Sequence, residues 1–489
     1  MLFNSIHFLI FFPVVILLYF LLPHRIRYIW LLFSSYFFYM AWNPKYALLI
    51  ATSTVITYMS GLLIFRSNQV KNERKRIFQK KLWVVLSFSS NLAILFFFKY
   101  FDFAIINVNR VLSYIGLHTI VPAFDVLLPV GISFYTFQAL SYTMDVYRGE
   151  IYAEKNLARY ALFVSFFPQL VAGPIERSKN LLVQINERHY FNYDNVKNGL
   201  LLMLWGYFQK MVVADRVAIY VNDIFNNYQN VNGVRLSVAT ILFAFQIYCD
   251  FSGYSSIAKG AAKIMGFRLM ENFRQPYFAT SIQDFWRRWH ISLSTWFRDY
   301  LYIPLGGSRC SRKKKYRNIM ITFLISGLWH GASWNFVIWG GLHGVYQVIG
   351  DITQTYKNKL YKKLCIRTDV FSFKLGNILM TFILTTFAWI FFRAPEVSAA
   401  FYIVKRIIFD FSFFSLLKVF LELNRIALMS IVLLLVGDIL WSNFDILKKL
   451  AQQNILFRWI GYFLMVLLIL IFGIYGTDYV QTQFIYFQF

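Results

Sequence analysis

The chain is poor in charge and poorer still in acid. Of its 489 residues only 15% are Asp, Glu, Lys or Arg, and Asp plus Glu number 23 against 49 Lys plus Arg. With 58% hydrophobic residues, that scarcity excludes an ordinary soluble domain and a disordered chain alike. Cysteine is almost missing: Cys249, Cys310 and Cys365 stand far apart with no CxxC, so neither a disulfide framework nor a zinc site is indicated. Three catalytic signatures are also absent. There is no GxxxxGK phosphate loop, no HExxH and no GxSxG elbow, which removes support for ATP coupling, zinc hydrolysis and serine hydrolysis.

What is present is apolar and aromatic. Runs of membrane length recur, and the chain reads as an all-α integral membrane protein, a bundle of about 11–13 spans or re-entrant segments. Candidate spans fall near 6–22, 28–42, 46–65, 83–101, 126–141, 159–172, 199–220, 236–249, 319–338, 339–350, 376–393, 427–441 and 456–475. Several are shorter than the ~20 residues a crossing needs, as expected where broken helices are buried in a bundle. The run Phe8 to Leu22 has no Lys or Arg before it and no small-residue cleavage site after it, so it reads as a retained span. No repeat or second soluble domain is visible; residues 1–489 read as one membrane domain.

The net charge of +26 does not point to nucleic acid, because the basic residues sit in short blocks between apolar runs. The blocks Arg66 to Lys81, Arg309 to Arg317 and Lys357 to Arg367 are the positive-inside mark of cytoplasmic loops. Counting spans from them places the N-terminus and the 477–489 tail outside the cytoplasm, and leaves membrane lipids as the surrounding partner. His330 lies thirteen residues beyond Arg317. At about 1.5 Å per residue that is roughly 20 Å into a core about 30 Å thick, near mid-membrane.

Several constellations could carry chemistry. In Gly327-Leu-Trp329-His330-Gly331 an ionisable ring sits in an apolar segment beside small residues, and at membrane depth such a group marks a reaction centre or a substrate path. In Trp286-Arg-Arg-Trp-His290, helical spacing puts Trp286, His290, Leu293 and Phe297 on one face. That face fits an interfacial amphipathic helix or a tunnel wall equally well. Asp250, within Gln246-Ile-Tyr-Cys-Asp250-Phe-Ser-Gly-Tyr254, follows an apolar run and suggests a helix break; it either caps the next helix or lines a cavity. The basic block carrying Arg309, Arg312 and Lys313 serves topology and anionic lipid, or attracts a phosphorylated donor. The last stretch, Phe484-Ile-Tyr486-Phe-Gln-Phe489, is apolar throughout, which suggests that something holds it.

Taken together, six segments resemble the membrane-bound O-acyltransferases, within them the AlgI-like branch that acetylates bacterial exopolysaccharide or peptidoglycan. They are Leu128 to Tyr142, Val171 to Glu176, Gln246 to Tyr254, Phe285 to Gly307, Gly327 to Asn335 and Phe387 to Arg393, in the family's order. The resemblance implies a helical bundle around a central tunnel that joins a cytoplasmic donor entrance to the other face. It implies that His330 is the principal catalytic histidine and His290 a second polar catalytic position. It makes Trp286, Trp329, Gln246, Asp250, Tyr254 and Asn335 candidates for the tunnel lining. Phe484-x-Tyr486-x-x-Phe489 resembles a terminal motif whose tyrosine carries the acyl group outward. From residue 475 to 486 an extended chain spans about 36 Å at most, ample to fold back to the midplane. Acetyl-CoA is the implied donor substrate with no metal, an SGNH-type transferase the implied extracytoplasmic partner, and a polysaccharide or peptidoglycan the acceptor, in a bacterial cytoplasmic membrane. Competing readings are the teichoic-acid D-alanyl branch of the same family, a transporter or flippase, and a scaffold without catalysis.

Overall fold

The computed structural model describes residues 1–117, 128–171, 173–444, 446–475 and 484–485. Among them every regular element is a helix. Six helices are long and apolar enough to cross a membrane: Pro44–Ser67, Glu73–Tyr114, Gly233–Ile264, Phe371–Arg393, Arg425–Asn443 and Ile455–Phe472. Ile6–Leu21 is a shorter apolar helix. Their burial tells which way each faces. Ile455–Phe472 is the most apolar and only 6% buried, so its Leu, Ile and Phe side chains face lipid, whereas Gly233–Ile264 is 72% buried and forms a core post. Exposed apolar area on this scale is tolerable only in a bilayer. The protein is an all-α, multi-pass membrane protein.

The thirteen expected spans and these six helices among the described residues differ for identifiable reasons. The 236–249 run is the middle of the 32-residue helix Gly233–Ile264. The 199–220 run is interrupted: Tyr193–Tyr207 passes into a π-helical stretch, Phe208–Ala214, before Asp215–Asn226 resumes α-helix. The 319–338 run is broken at Gly331, where Arg312–His330 ends and Trp334–Lys363 begins, capped by Ser333.

The described residues form two compact units. The first comprises residues 1–203 and 257–270. Some of its helices meet through large rings, Phe8, Phe38 and Phe167 among them, and others through small and hydroxyl residues. Ser53 donates to Asn91 (2.6 Å), Tyr160 donates to Thr57 (2.7 Å), and Ser87 pairs with Thr143 (3.1 Å). Lipid supplies no hydrophobic drive between helices, so close approach and interhelical hydrogen bonds take over.

The second unit comprises residues 204–256 and 271–489. At its centre Trp286, Trp289, Trp339 and Trp389 pack edge and face around Phe285 and Phe392. The Arg312–His330 and Trp334–Lys363 helices form a tight hairpin against this cluster. Gly327 and Gly340 allow the approach: a Cβ on Gly327 would lie 2.2 Å from the Phe336 carbonyl oxygen, and one on Gly340 2.2 Å from that of Phe323. Gly327→Ala should therefore force the hairpin apart, with a stability loss of ~1–3 kcal/mol by thermal unfolding in detergent. Gly341→Ala, whose Cβ would meet only the Leu324 side chain at 3.5 Å, should be near neutral in the same assay.

Candidate active site

His330 is the last residue of the Arg312–His330 helix, 2% exposed, with its ring 4.9 Å from Trp339, 5.0 Å from Trp329 and 5.5 Å from Phe392. The helix ends there because Gly331 turns to extended backbone, and its bare Cα lies against the Phe336 ring. His330 thus projects from a helix terminus into an aromatic wall.

His290 reaches the same place by a different route. The single helical face expected for Trp286 through Phe297 does not form. Ile282–Arg288 ends, Trp289 is extended, and His290 adopts left-handed backbone (φ 41, ψ 55) before Ile291–Phe297 begins. A non-glycine residue there is strained, and it persists only where surrounding bonds over-determine it. Asn272 supplies those bonds. Its carbonyl accepts the Ile291 N–H (2.9 Å), and its side-chain oxygen accepts the Ser292 N–H (3.3 Å) and hydroxyl (2.6 Å). Asn272 in turn donates to Ser255 at 3.2 Å, tying the turn to the Gly233–Ile264 helix. The outcome is a fully buried His290 whose ring centre lies 6.5 Å from that of His330 and 6.0 Å from that of Trp329.

A third buried histidine was not singled out from the sequence. His343 accepts a hydrogen bond from the Trp286 indole at 3.3 Å, and its ring lies 5.0 Å from that of Trp339, which also touches His330. Its signal is a histidine in the apolar stretch Trp339-Gly-Gly-Leu-His343, the same kind of signal as His330.

Asp250 is not at a helix break. It sits mid-helix in Gly233–Ile264, and Lys210 explains how an acid survives there. The Lys210 ammonium lies 2.6 Å from Asp250 and 2.9 Å from Asp215, with all three residues at most 3% exposed. It also lies 5.4 Å from the centre of the Tyr254 ring, one turn beyond Asp250. Lys210 lies in the π-helical stretch, a distortion common at functional sites. Lys210 and Asp215 were missed in the sequence, although a lysine between Phe208 and Met211 in an apolar run is the same kind of signal as His330.

The other candidates separate. Trp286 and Trp329 belong to the histidine wall. Gln246 lies one turn before Asp250 and is buried, and Asn335 is buried and donates to the Ala394 carbonyl at 2.7 Å. Arg309, Arg312 and Lys313 are exposed at the start of the Arg312–His330 helix. Arg312 precedes His330 by eighteen residues, about 27 Å of helix, so the basic block marks the far end of that helix rather than the histidine pair. Tyr486 lies outside the described residues. No group of three or more His, Cys, Asp or Glu residues among the described ones is placed to hold a metal ion.

A family pattern for membrane-bound O-acyltransferases matches residues 4–394, which contain both histidines and the Lys210 cluster. The chain belongs to the membrane-bound O-acyltransferase family. It is 40% identical over 401 residues to the probable alginate O-acetylase AlgI of Pseudomonas aeruginosa, covering 82% of this chain and 73% of that protein. It is 37% identical over 408 residues to the peptidoglycan O-acetyltransferase of Helicobacter pylori, covering 77% and 73%. The teichoic acid D-alanyltransferase of Bacillus subtilis is 29% identical over 256 residues, covering 50% and 64%. As a member of this family the protein is an acyltransferase, and the transporter and scaffold readings fall away.

The buried ion cluster makes a sharp test possible. Lys210→Met should cost about 3–5 kcal/mol, because two carboxylates lose their counter-ion in a low-dielectric site. Combining it with Asp215→Asn and Asp250→Asn should restore folded protein on size-exclusion chromatography in detergent. A Lys210→Met protein as stable as wild type would show that the cluster is not charged.

Proposed function

We propose that this acyltransferase takes an acetyl group from acetyl-CoA on the cytoplasmic side and passes it, through Tyr486, to an extracytoplasmic acceptor system. The observation that carries this reading is the meeting of His290 and His330, from separate helical segments, in one buried aromatic cluster. The long matches to alginate and peptidoglycan O-acetylating relatives support acetyl over D-alanyl transfer, whose relative matches only half the chain.

In this mechanism the donor enters by a tunnel whose mouth carries Arg309, Arg312 and Lys313, cations suited to its phosphates. His330 accepts the proton of the Tyr486 hydroxyl as that oxygen attacks the thioester carbonyl. The carbon–sulfur bond breaks, and the thiolate leaves with the proton returned by His330. His290 donates to the developing oxyanion, an interaction strengthened where water is scarce. The acetyl ester on Tyr486 is then taken by an SGNH-type transferase and placed on a polysaccharide or peptidoglycan hydroxyl. The reading sets the protein in a bacterial cytoplasmic membrane, with its N-terminus and the 477–489 segment on the outer side. It treats the chain as one membrane domain, which the family match across both compact units supports.

The test is mass spectrometry after feeding labelled acetyl-CoA to the full chain in nanodiscs. Label on Tyr486 is expected in wild type, formed ~10²–10⁴-fold more slowly in His330→Ala, and absent in Tyr486→Phe. Undiminished glycan acetylation by Tyr486→Phe in cells would sink the relay, and wild-type turnover by His330→Ala would sink the assignment of the base.

A further inference from the structure

The cluster of Lys210, Asp215 and Asp250 does more than neutralise itself. One ammonium faces two carboxylates, and Lys210 approaches Asp250 through Oδ1 (2.6 Å). The second oxygen, Oδ2, accepts the backbone N–H of Ile485 at 2.8 Å, from a residue 235 positions away. Around that bond the flanking side chains are sunk into the protein: Phe484 is 0% and Ile485 3% exposed. The Phe484 ring packs on Tyr254 (4.9 Å) and Phe251 (5.4 Å), so Tyr254 is held between Phe484 and the Lys210 ammonium. Phe251 then meets His290 edge-on at 4.6 Å.

We propose that Asp250, held by Lys210, is a positioning residue that clamps the 484–485 segment by its backbone beside Phe251, the ring that touches His290. Three features fit a clamp better than incidental packing. A carboxylate reads a backbone N–H whatever the side chain, so the contact fixes register rather than composition. Its oxygen is a charged acceptor, roughly twice as strong as a neutral one. The two residues that seat Phe484, Phe251 and Tyr254, lie one and four positions after Asp250 on the same helix, so one helical turn both bonds the segment and touches His290.

The clamp rests on the relay reading for its purpose but not for its existence, and the experiment separates the two. Ile485→Pro deletes the donated N–H while leaving the ion cluster intact, and Ile485→Val keeps both. Hydrogen–deuterium exchange on the full chain in nanodiscs should show a protected Ile485 amide in wild type. Asp250→Ala should lose that protection while amides of the Gly233–Ile264 helix keep theirs. Ile485→Pro should weaken docking by roughly tenfold or more, the worth of one hydrogen bond to a charged group, and slow acetyl loading from labelled acetyl-CoA in proportion. Ile485→Val should load normally. An unprotected Ile485 amide in wild type, or wild-type loading in Ile485→Pro, overturns the clamp. Protection at Ile485 that persists in Tyr486→Phe supports it even where glycan acetylation is undiminished, an outcome that removes only the relay.

Discussion

Burying charge in a place without water is the constraint on which the second unit depends. Asp215 and Asp250 are admissible there because the Lys210 ammonium lies within 2.6–2.9 Å of both. That requirement dictates local geometry. The π-helical stretch Phe208–Ala214 carries Lys210, and Gly253 lets the Gly233–Ile264 helix approach closely, since a Cβ there would lie 2.8 Å from the Gly206 carbonyl. With the helix pinned at Asp250, its next residues fall into place: Phe251 against His290, Ser255 against Asn272, Tyr254 over the ammonium.

The histidine pair is built from two departures from regular helix. His290 sits in a strained left-handed turn bracketed by Asn272, and His330 at a helix end made by Gly331. Neither ring would face the other from an uninterrupted helix. Local strain of this kind, about 1–3 kcal/mol for a residue in a sparsely populated region, is retained where the surrounding packing compensates for it. The indoles of Trp286, Trp289, Trp339 and Trp389 supply that packing.

Both units join helices through aromatic rings, and each adds polar contacts of its own. In the first, hydroxyl and amide side chains also bond between helices, as Tyr160 does to Thr57, and Gly61 allows an approach so tight that a Cβ would lie 2.6 Å from the Tyr142 ring. In the second, large aromatic rings and one ion cluster dominate. The catalytic candidates lie in the second, where rings provide rigid walls of low polarity.

The sequence by itself determined the class, because scarcity of charge and apolar runs of membrane length leave an all-α membrane bundle as the physically permitted fold. It also pointed to His330, since an ionisable group far from any charged neighbour in an apolar run is expensive wherever the chain places it. The residues alone left His290 open between an interfacial anchor and a tunnel wall, and only the resemblance of their segments to a family assigns His290 and Tyr486 a role in the reaction. Tertiary structure alone decided the rest. The helix through Asp250 continues because Lys210, forty residues earlier, neutralises the acid, and the helix through His290 breaks because Asn272 captures the donors beside it. Helical periodicity reports only neighbours three or four residues apart, and both decisions were made by partners far outside that range.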